Sequence, residues 1–306
     1  MSRPAQLSLG QGLGGASKSA LESVREPGTA AGEQETLWMP TLDVNGTTLN
    51  YEVTGQGEPL LFLHGLGSCL QDWEFQVPEF SRDHRVIAFD LRGHGDSSRP
   101  PGPYSMPMFA ADAAGLLRAL GVQSAHVVGV SLGGGIAFQM AVSYPALVKS
   151  LVIVNSGPDA TIRTFPQRLM VTSRFAMVRL LSFRKVGEAV SKKLFPEPEL
   201  AGVRASFIER YARNDKKSYL ATLRAFVGWS VLAQIGEIAC PTLAIAADHD
   251  YTPLALKEAY VAKMPAAKLV VVPDSRHALP VERPQRFNAV LRAFLEEHSG
   301  HAASVR

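Results

Sequence analysis

Cysteine is almost missing from these 306 residues. The two present, Cys69 and Cys240, stand far apart and in no metal-ligand spacing. That excludes a disulfide framework and a thiolate metal centre, and it suits reduced thiols and a cytoplasmic home. Long apolar runs are missing as well: the longest are strand-sized, well short of the ~20 residues that a membrane span requires. An excess of one charge is also lacking, since the formal net charge is only +3, too small to argue for nucleic acid as a partner. There are no internal repeats. What remains, 46% apolar and 19% charged, is the composition of a globular enzyme long enough to bury a sizeable core.

Residues 1–40, rich in Gly, Ser, Ala and Gln, have no apolar segment of the signal-peptide kind and read as a flexible tail. From Thr41 the pattern changes. "LDVNGTTLNYEV" places two alternating segments around Asn45-Gly46, a strong hairpin signal. Continuous apolar runs follow: "PLLFL", "RVIAF", "HVVGV", "LVIV", and further on "TLAIAA" and "KLVVV". Runs apolar on both faces suit a parallel sheet covered by helices on each side. Helical spacing lies between them, in Met106, Phe109, Ala110, Ala113, Leu117 and Leu120, and in Phe287, Val290, Leu291 and Phe294. The alternation predicts an α/β doubly wound fold. One stretch breaks it: residues 157–235 hold no strand run and read as a helical lid inserted between two strands. The expected organisation is therefore a core in two parts, 41–156 and 236–298, the lid, and tails at 1–40 and 299–306.

Chemistry concentrates at strand ends. In "HVVGVSLGGGIAFQMA" a β-branched strand runs into Ser131 and then into a glycine-rich helix start. Gly129-Val130-Ser131-Leu132-Gly133 fits G-x-S-x-G, in which a tight strand-to-helix turn holds a serine hydroxyl clear of the sheet. A serine needs a base, and the base needs an orienting acid. Past the insertion, "AADHDYTP" sets Asp248 and Asp250 beyond one strand, and "PDSRHALP" sets His277 beyond the next. Loops after parallel strands gather at one sheet edge, so Ser131, an aspartate and His277 are expected to meet there, with Asp250 preferred as the acid and Asp248 its alternative. His249, between two aspartates, is expected to face solvent. A tetrahedral intermediate also needs amide donors. The amide of Leu132 and that of Leu66, in "LFLHGLGS", are the candidates. Cys69 and Trp73 read as packing residues, Arg92 as a residue that organises its own turn.

These segments together, His64-Gly65-Leu66-Gly67, Asp90 to Ser97 ("DLRGHGDS"), the Ser131 elbow, the Asp250 loop and "SRHALPVERPQRFN", resemble the α/β-hydrolase superfamily from about Thr41 to His298. The resemblance implies an α/β-hydrolase fold with a mostly parallel sheet. It also implies a structural role for His94 and Asp96, and acyl transfer to serine rather than the aspartate chemistry of dehalogenases and most epoxide hydrolases. It calls for neither metal nor organic cofactor. One departure is Ala247, where many relatives carry glycine before the acid loop.

The expected activity is hydrolysis of a small-molecule carboxylic ester or lactone through an acyl-enzyme. A cofactor-free acyltransferase, a C–C hydrolase, a haloperoxidase-like variant and a ligand-binding receptor on the same scaffold are the rival readings. Residues 157–234 carry 14 Lys+Arg against 6 Asp+Glu, a net +8 that leaves −5 for the rest. Three readings fit that charge: solvated helix faces, a weak contact of the basic lid with anionic membrane surfaces, or an anionic acyl substrate that draws one or two arginines into the pocket.

Overall fold

A computed structural model describes residues 40–299; all but the last residue of the N-terminal tail and all but the first residue of the C-terminal tail lie outside them. The described residues form eight strands: β1 (Thr41–Val44), β2 (Thr47–Thr54), β3 (Glu58–Leu63), β4 (His84–Phe89), β5 (Ala125–Val130), β6 (Val148–Val154), β7 (Thr242–Ala247) and β8 (Ala267–Val272). They make one sheet in the order β1-β2-β4-β3-β5-β6-β7-β8. β1 and β2 pair antiparallel, as do β2 and β4, and from β4 onward all neighbours are parallel. The β1–β2 turn has Asn45 at φ 49° and Gly46 at φ 72°. This is the left-handed pair that a two-residue hairpin requires.

The helices are α1 (Val77–Phe80), α2 (Met106–Ala119), α3 (Leu132–Ser143), α4 (Phe165–Leu180), α5 (Phe183–Leu194), α6 (Ala201–Ala212), α7 (Lys216–Phe226), α8 (Leu254–Val261), α9 (Leu279–Glu282) and α10 (Pro284–His298). Strand side chains alternate between faces, and the core divides accordingly. Leu61, Leu63, Ile87, Phe89 and Val127 pack with Phe109 of α2, Ile136 and Phe138 of α3 and Tyr260 of α8. Leu60, Phe62, Val86, Ala88 and Val128 face the other way, against Trp73, Phe80 and the α10 residues Phe287, Leu291 and Phe294. Trp73 stacks on Phe62 at 4.5 Å between ring centroids, the packing role expected of it. β8 differs from the expected fully covered strand: as the sheet's last strand it leaves Val271 40% exposed.

Between β6 and β7 lie α4 to α7. The base of this insertion is tied by backbone bonds from Ala160 to Trp229, Gly228 to Ala160 and Val231 to Pro158. The four helices share their own small core of Val178, Phe183, Val186, Tyr211, Tyr219 and Leu223. On α4 the outward side is apolar and uncovered, with Phe165, Leu169 and Leu180 exposed, whereas Val178 is fully buried. Among the described residues no helix is long and apolar enough to cross a membrane.

Candidate active site

β5 ends directly at Ser131, whose backbone is held at φ 55°, ψ −118°. A non-glycine residue there carries strain of about 1–3 kcal/mol, which the surroundings must impose. Two glycines show how. A Cβ on Gly129 would lie 2.2 Å from Gly133 O, and a Cβ on Gly133 would lie 2.1 Å from Leu63 O. Only backbone-to-backbone approach lets α3 start so close to β5 and β3. The turn is then pinned by Ser131 N donating to Val154 O, at 3.0 Å, and by Ser156 Oγ donating to Ser131 O, at 2.6 Å.

The loop after β3 abuts this turn: a Cβ on Gly65 would sit 3.6 Å from Ser131 Cβ. His64, fully buried, braces the loop. Its Nε2 accepts from Leu91 N at 3.0 Å and its Nδ1 donates to Gly65 O at 2.8 Å. Burial lowers its pKa to about 4 against the backbone bond that raises it, so the ring is neutral at pH 7. Leu66 follows, its side chain packed against both the sheet core and the cluster of the inserted helices. Leu132 opens α3, and N–H groups in a helix's first turn have no intrahelical acceptor.

Asp250 and His277 come together from the loops after β7 and β8. His277 Nδ1 donates to Asp250 Oδ1 at 2.7 Å. The second carboxylate oxygen accepts from Lys257 Nζ of α8 at 2.7 Å and from the Thr252 hydroxyl. The Asp250 side chain is completely buried and Lys257 nearly so, at 2% exposure. Burial alone would raise the carboxyl's pKa, but the His277, Lys257 and Thr252 interactions outweigh it and hold the value at about 2. Asp248 has other work. It accepts the amides of Asp274 and Ser275, each at 3.0 Å, and so ties one loop to the other. The side chain of His249 is 58% exposed, on the solvent side as expected.

Ser131 and His277 do not bond directly. The Tyr251 hydroxyl lies 2.7 Å from His277 Nε2, with Ser131 among its near neighbours. Because Nδ1 donates to Asp250, Nε2 accepts, and Tyr251 therefore donates to it. The ring stacks on the imidazole at 4.1 Å between centroids, and 61% of the residue's surface is accessible.

Sequence reasoning missed three members of this arrangement: Tyr251, Lys257 and Asn155. Asn155, just past β6 at φ 46°, accepts from Ala247 N and donates to the carbonyls of Arg276 and His277. It braces the acid loop and the histidine loop at once. An asparagine directly after a buried strand is the one signal that pointed to it, since Asn tolerates left-handed backbone. Lys257 shows no sequence signal, because a lysine on a helix is normally solvated.

The segment "DLRGHGDS" braces the loops around the site. Asp90 accepts from Leu70 N, Asn50 Nδ2 and Asp96 N. Arg92 pairs in the interior with Asp112, Nη2 to Oδ1 at 2.6 Å, and His94 Nδ1 donates to Arg92 O. Cys69 and Cys240 are both free thiols.

A family model for the alpha/beta hydrolase fold matches residues 58–284, and the chain belongs to that family. The "Putative carbamate hydrolase RutD" of Azorhizobium caulinodans is 31% identical over 271 residues, 85% of this chain and 99% of that protein. The 3-oxoadipate enol-lactonase 2 of Acinetobacter baylyi is 26% identical, over 84% of this chain and 96% of the relative. Among solved structures, an enol-lactonase from Burkholderia xenovorans LB400 superposes with a TM-score of 0.78 at 25% identity. It covers 84% of this chain and all of its own.

Proposed function

We propose that the protein is a hydrolase that cleaves a small carboxylic ester or lactone through an acyl-serine intermediate. The observation that carries this is the bonded pair Asp250–His277, set past the ends of β7 and β8 at the sheet edge where β5 ends on Ser131, a serine in a strained elbow. Carbamate hydrolase and enol-lactonase names among the relatives support a hydrolase. Entering substrate displaces the Tyr251 hydroxyl, which the accessible, loop-borne ring allows. Ser131 Oγ then attacks the carbonyl carbon as its proton passes to His277 Nε2, while Asp250 stabilises the imidazolium. The oxyanion is received by the amides of Leu66 and Leu132. Collapse breaks the C–O bond, and the leaving alkoxide takes the proton from His277; in a lactone it stays tethered to the acyl group. Water, deprotonated by His277, repeats the attack and frees Ser131.

Initial rates on p-nitrophenyl acetate, butyrate and octanoate test the reading, with Ser131→Ala and His277→Ala beside the wild type. Each variant is expected to lose on the order of 10⁴–10⁶-fold in kcat. Retention of activity in Ser131→Ala ends the proposal. A cytoplasmic location suits the free thiols. The exposed Phe165, Leu169 and Leu180, beside Arg168 and Arg179 on α4, suit a weak contact with anionic membrane surfaces. Flotation with phosphatidylserine liposomes at low salt tests it, and a protein that stays at the bottom of the gradient contradicts it.

A further inference from the structure

Among the described residues, arginines that are buried or half-buried pair with carboxylates or, like Arg85 and Arg204, donate to a backbone carbonyl, with one exception. Arg92 pairs with Asp112, Arg210 with Glu74 and Asp72, Arg276 with Glu197 and Glu282, and Arg292 with Glu79 and Asp83. Arg174 pairs with none among the described residues. It lies on α4 one turn before the fully buried Val178, and so on the helix's inward face. Arg163, Arg168 and Arg179, by contrast, are exposed. Its Nη1 is enclosed and has no hydrogen-bond acceptor. Three phenols stand near it, those of Tyr219, Tyr211 and Tyr251.

The packing of α4 fixes where Arg174 stands: Val178, one turn on, shares a cluster with Tyr211 and Tyr219, and Leu66 packs against it. Tyr251 donates to His277 Nε2. Tyr211 and Tyr219, joined hydroxyl to hydroxyl at 2.8 Å, lie directly over Gly67, where an added Cβ would meet both rings at under 3 Å. Arg174 therefore belongs to the ceiling of the Ser131 site, beside the loop that carries Leu66. An enclosed guanidinium with an empty donor is costly to keep. A planar, two-oxygen anion satisfies it, since guanidinium and carboxylate match in a fork.

We infer that Arg174 binds a non-reacting carboxylate of the substrate, so that the preferred substrate is an anionic ester or lactone rather than a neutral one. This rests on the hydrolase reading above and adds its substrate class. The net +8 of the insertion draws such anions toward the site. Tyr251, in reach of both Arg174 and the catalytic groups, holds the cleft until the substrate replaces it.

The test pairs mono-p-nitrophenyl adipate with its methyl ester, which differ in the far carboxylate alone. The wild type is expected to favour the anion by at least tenfold in kcat/KM. In Arg174→Gln the ratio is expected to fall to about one, mainly through a 10–100-fold higher KM for the anion, with Arg174→Lys in between. Labelling of Ser131 by a fluorophosphonate separates the two levels. A labelled enzyme that shows no preference, or keeps it in Arg174→Gln, overturns the carboxylate site alone. An unlabelled wild type overturns the hydrolase reading as well. Should Arg174→Gln not fold, inhibition of the wild type by adipate but not by dimethyl adipate supports the inference, and equal inhibition contradicts it.

Discussion

Along β3 the residues Leu60 to Leu63 are completely buried, and so are Leu151 to Val154 along β6. On α4, which leaves the sheet at the end of β6, Phe165 is 77% exposed and Leu180 80%. The two regions solve different problems. The sheet locks strand ends in register, so that Ser131, Asp250 and His277 arrive at one edge from three separate loops. The insertion packs only a few side chains of its own, and its inner face is free to be specified by what it must bind. On the reading proposed above, the comparison assigns bond-breaking machinery to the sheet edge and substrate choice to the helical insertion. Substitutions in the first should abolish activity toward every substrate, and substitutions in the second should change preference.

The largest effect that sharpens this contrast comes from the acid. Asp250→Asn is expected to lower kcat by about 10³–10⁴-fold on every ester, while Asp248→Asn, whose carboxylate ties two loops, is expected to cost far less. Equal losses would break the assignment of Asp250. Next is Lys257→Met, which leaves a buried carboxylate without its cation. Chemical denaturation should show a loss of about 3 kcal/mol, and a stability within error of wild type would contradict the buried pair.

Asp250 also dictates an acid limit. Its folded pKa of about 2 lies below the ordinary 3.8, so between those values the unfolded chain binds the extra proton. The pairing is then fully stabilising above about pH 4, and its contribution, about 2 kcal/mol, is lost as pH falls toward 2. Denaturant midpoints of wild type and Asp250→Asn measured from pH 6 to 2 should converge over that window; a constant gap would contradict it. Smaller again is Tyr251→Phe, which removes the hydroxyl that occupies His277 Nε2. Labelling of Ser131 should quicken by about two- to fivefold, of the order of one lost hydrogen bond, whereas a fall of 10²-fold would mean that the phenol relays the proton. Smallest is the outer face of α4: Phe165→Ser with Leu169→Ser should shift stability by no more than about 0.5 kcal/mol and leave rates on soluble esters unchanged.

Much of the sheet was legible because buried parallel strands have no polar face to confuse their pattern, as "PLLFL" and "HVVGV" show. The elbow was legible for a related reason: Gly129 and Gly133 are dictated by collisions with backbone, and such constraints leave few residue choices. Asp250 and His277 followed from their place just past strands. Lys257 and Asn155 escaped because their roles come from contacts between elements distant in sequence. Arg174 escaped for another reason. Arg168, Arg174 and Arg179 share one helix, and only the packing of Val178 against its neighbours decides which of them turns inward. The masking of that direction is why the basic insertion supported three readings in sequence and one arginine stands apart in structure.

The measurement that bears most directly on the central claim is intact-mass and peptide analysis of the full chain after exposure to a fluorophosphonate. A single adduct on Ser131, suppressed in His277→Ala, is the predicted result. An unmodified wild-type protein, or an adduct on another serine, would contradict the claim that this strained strand end is an activated nucleophile.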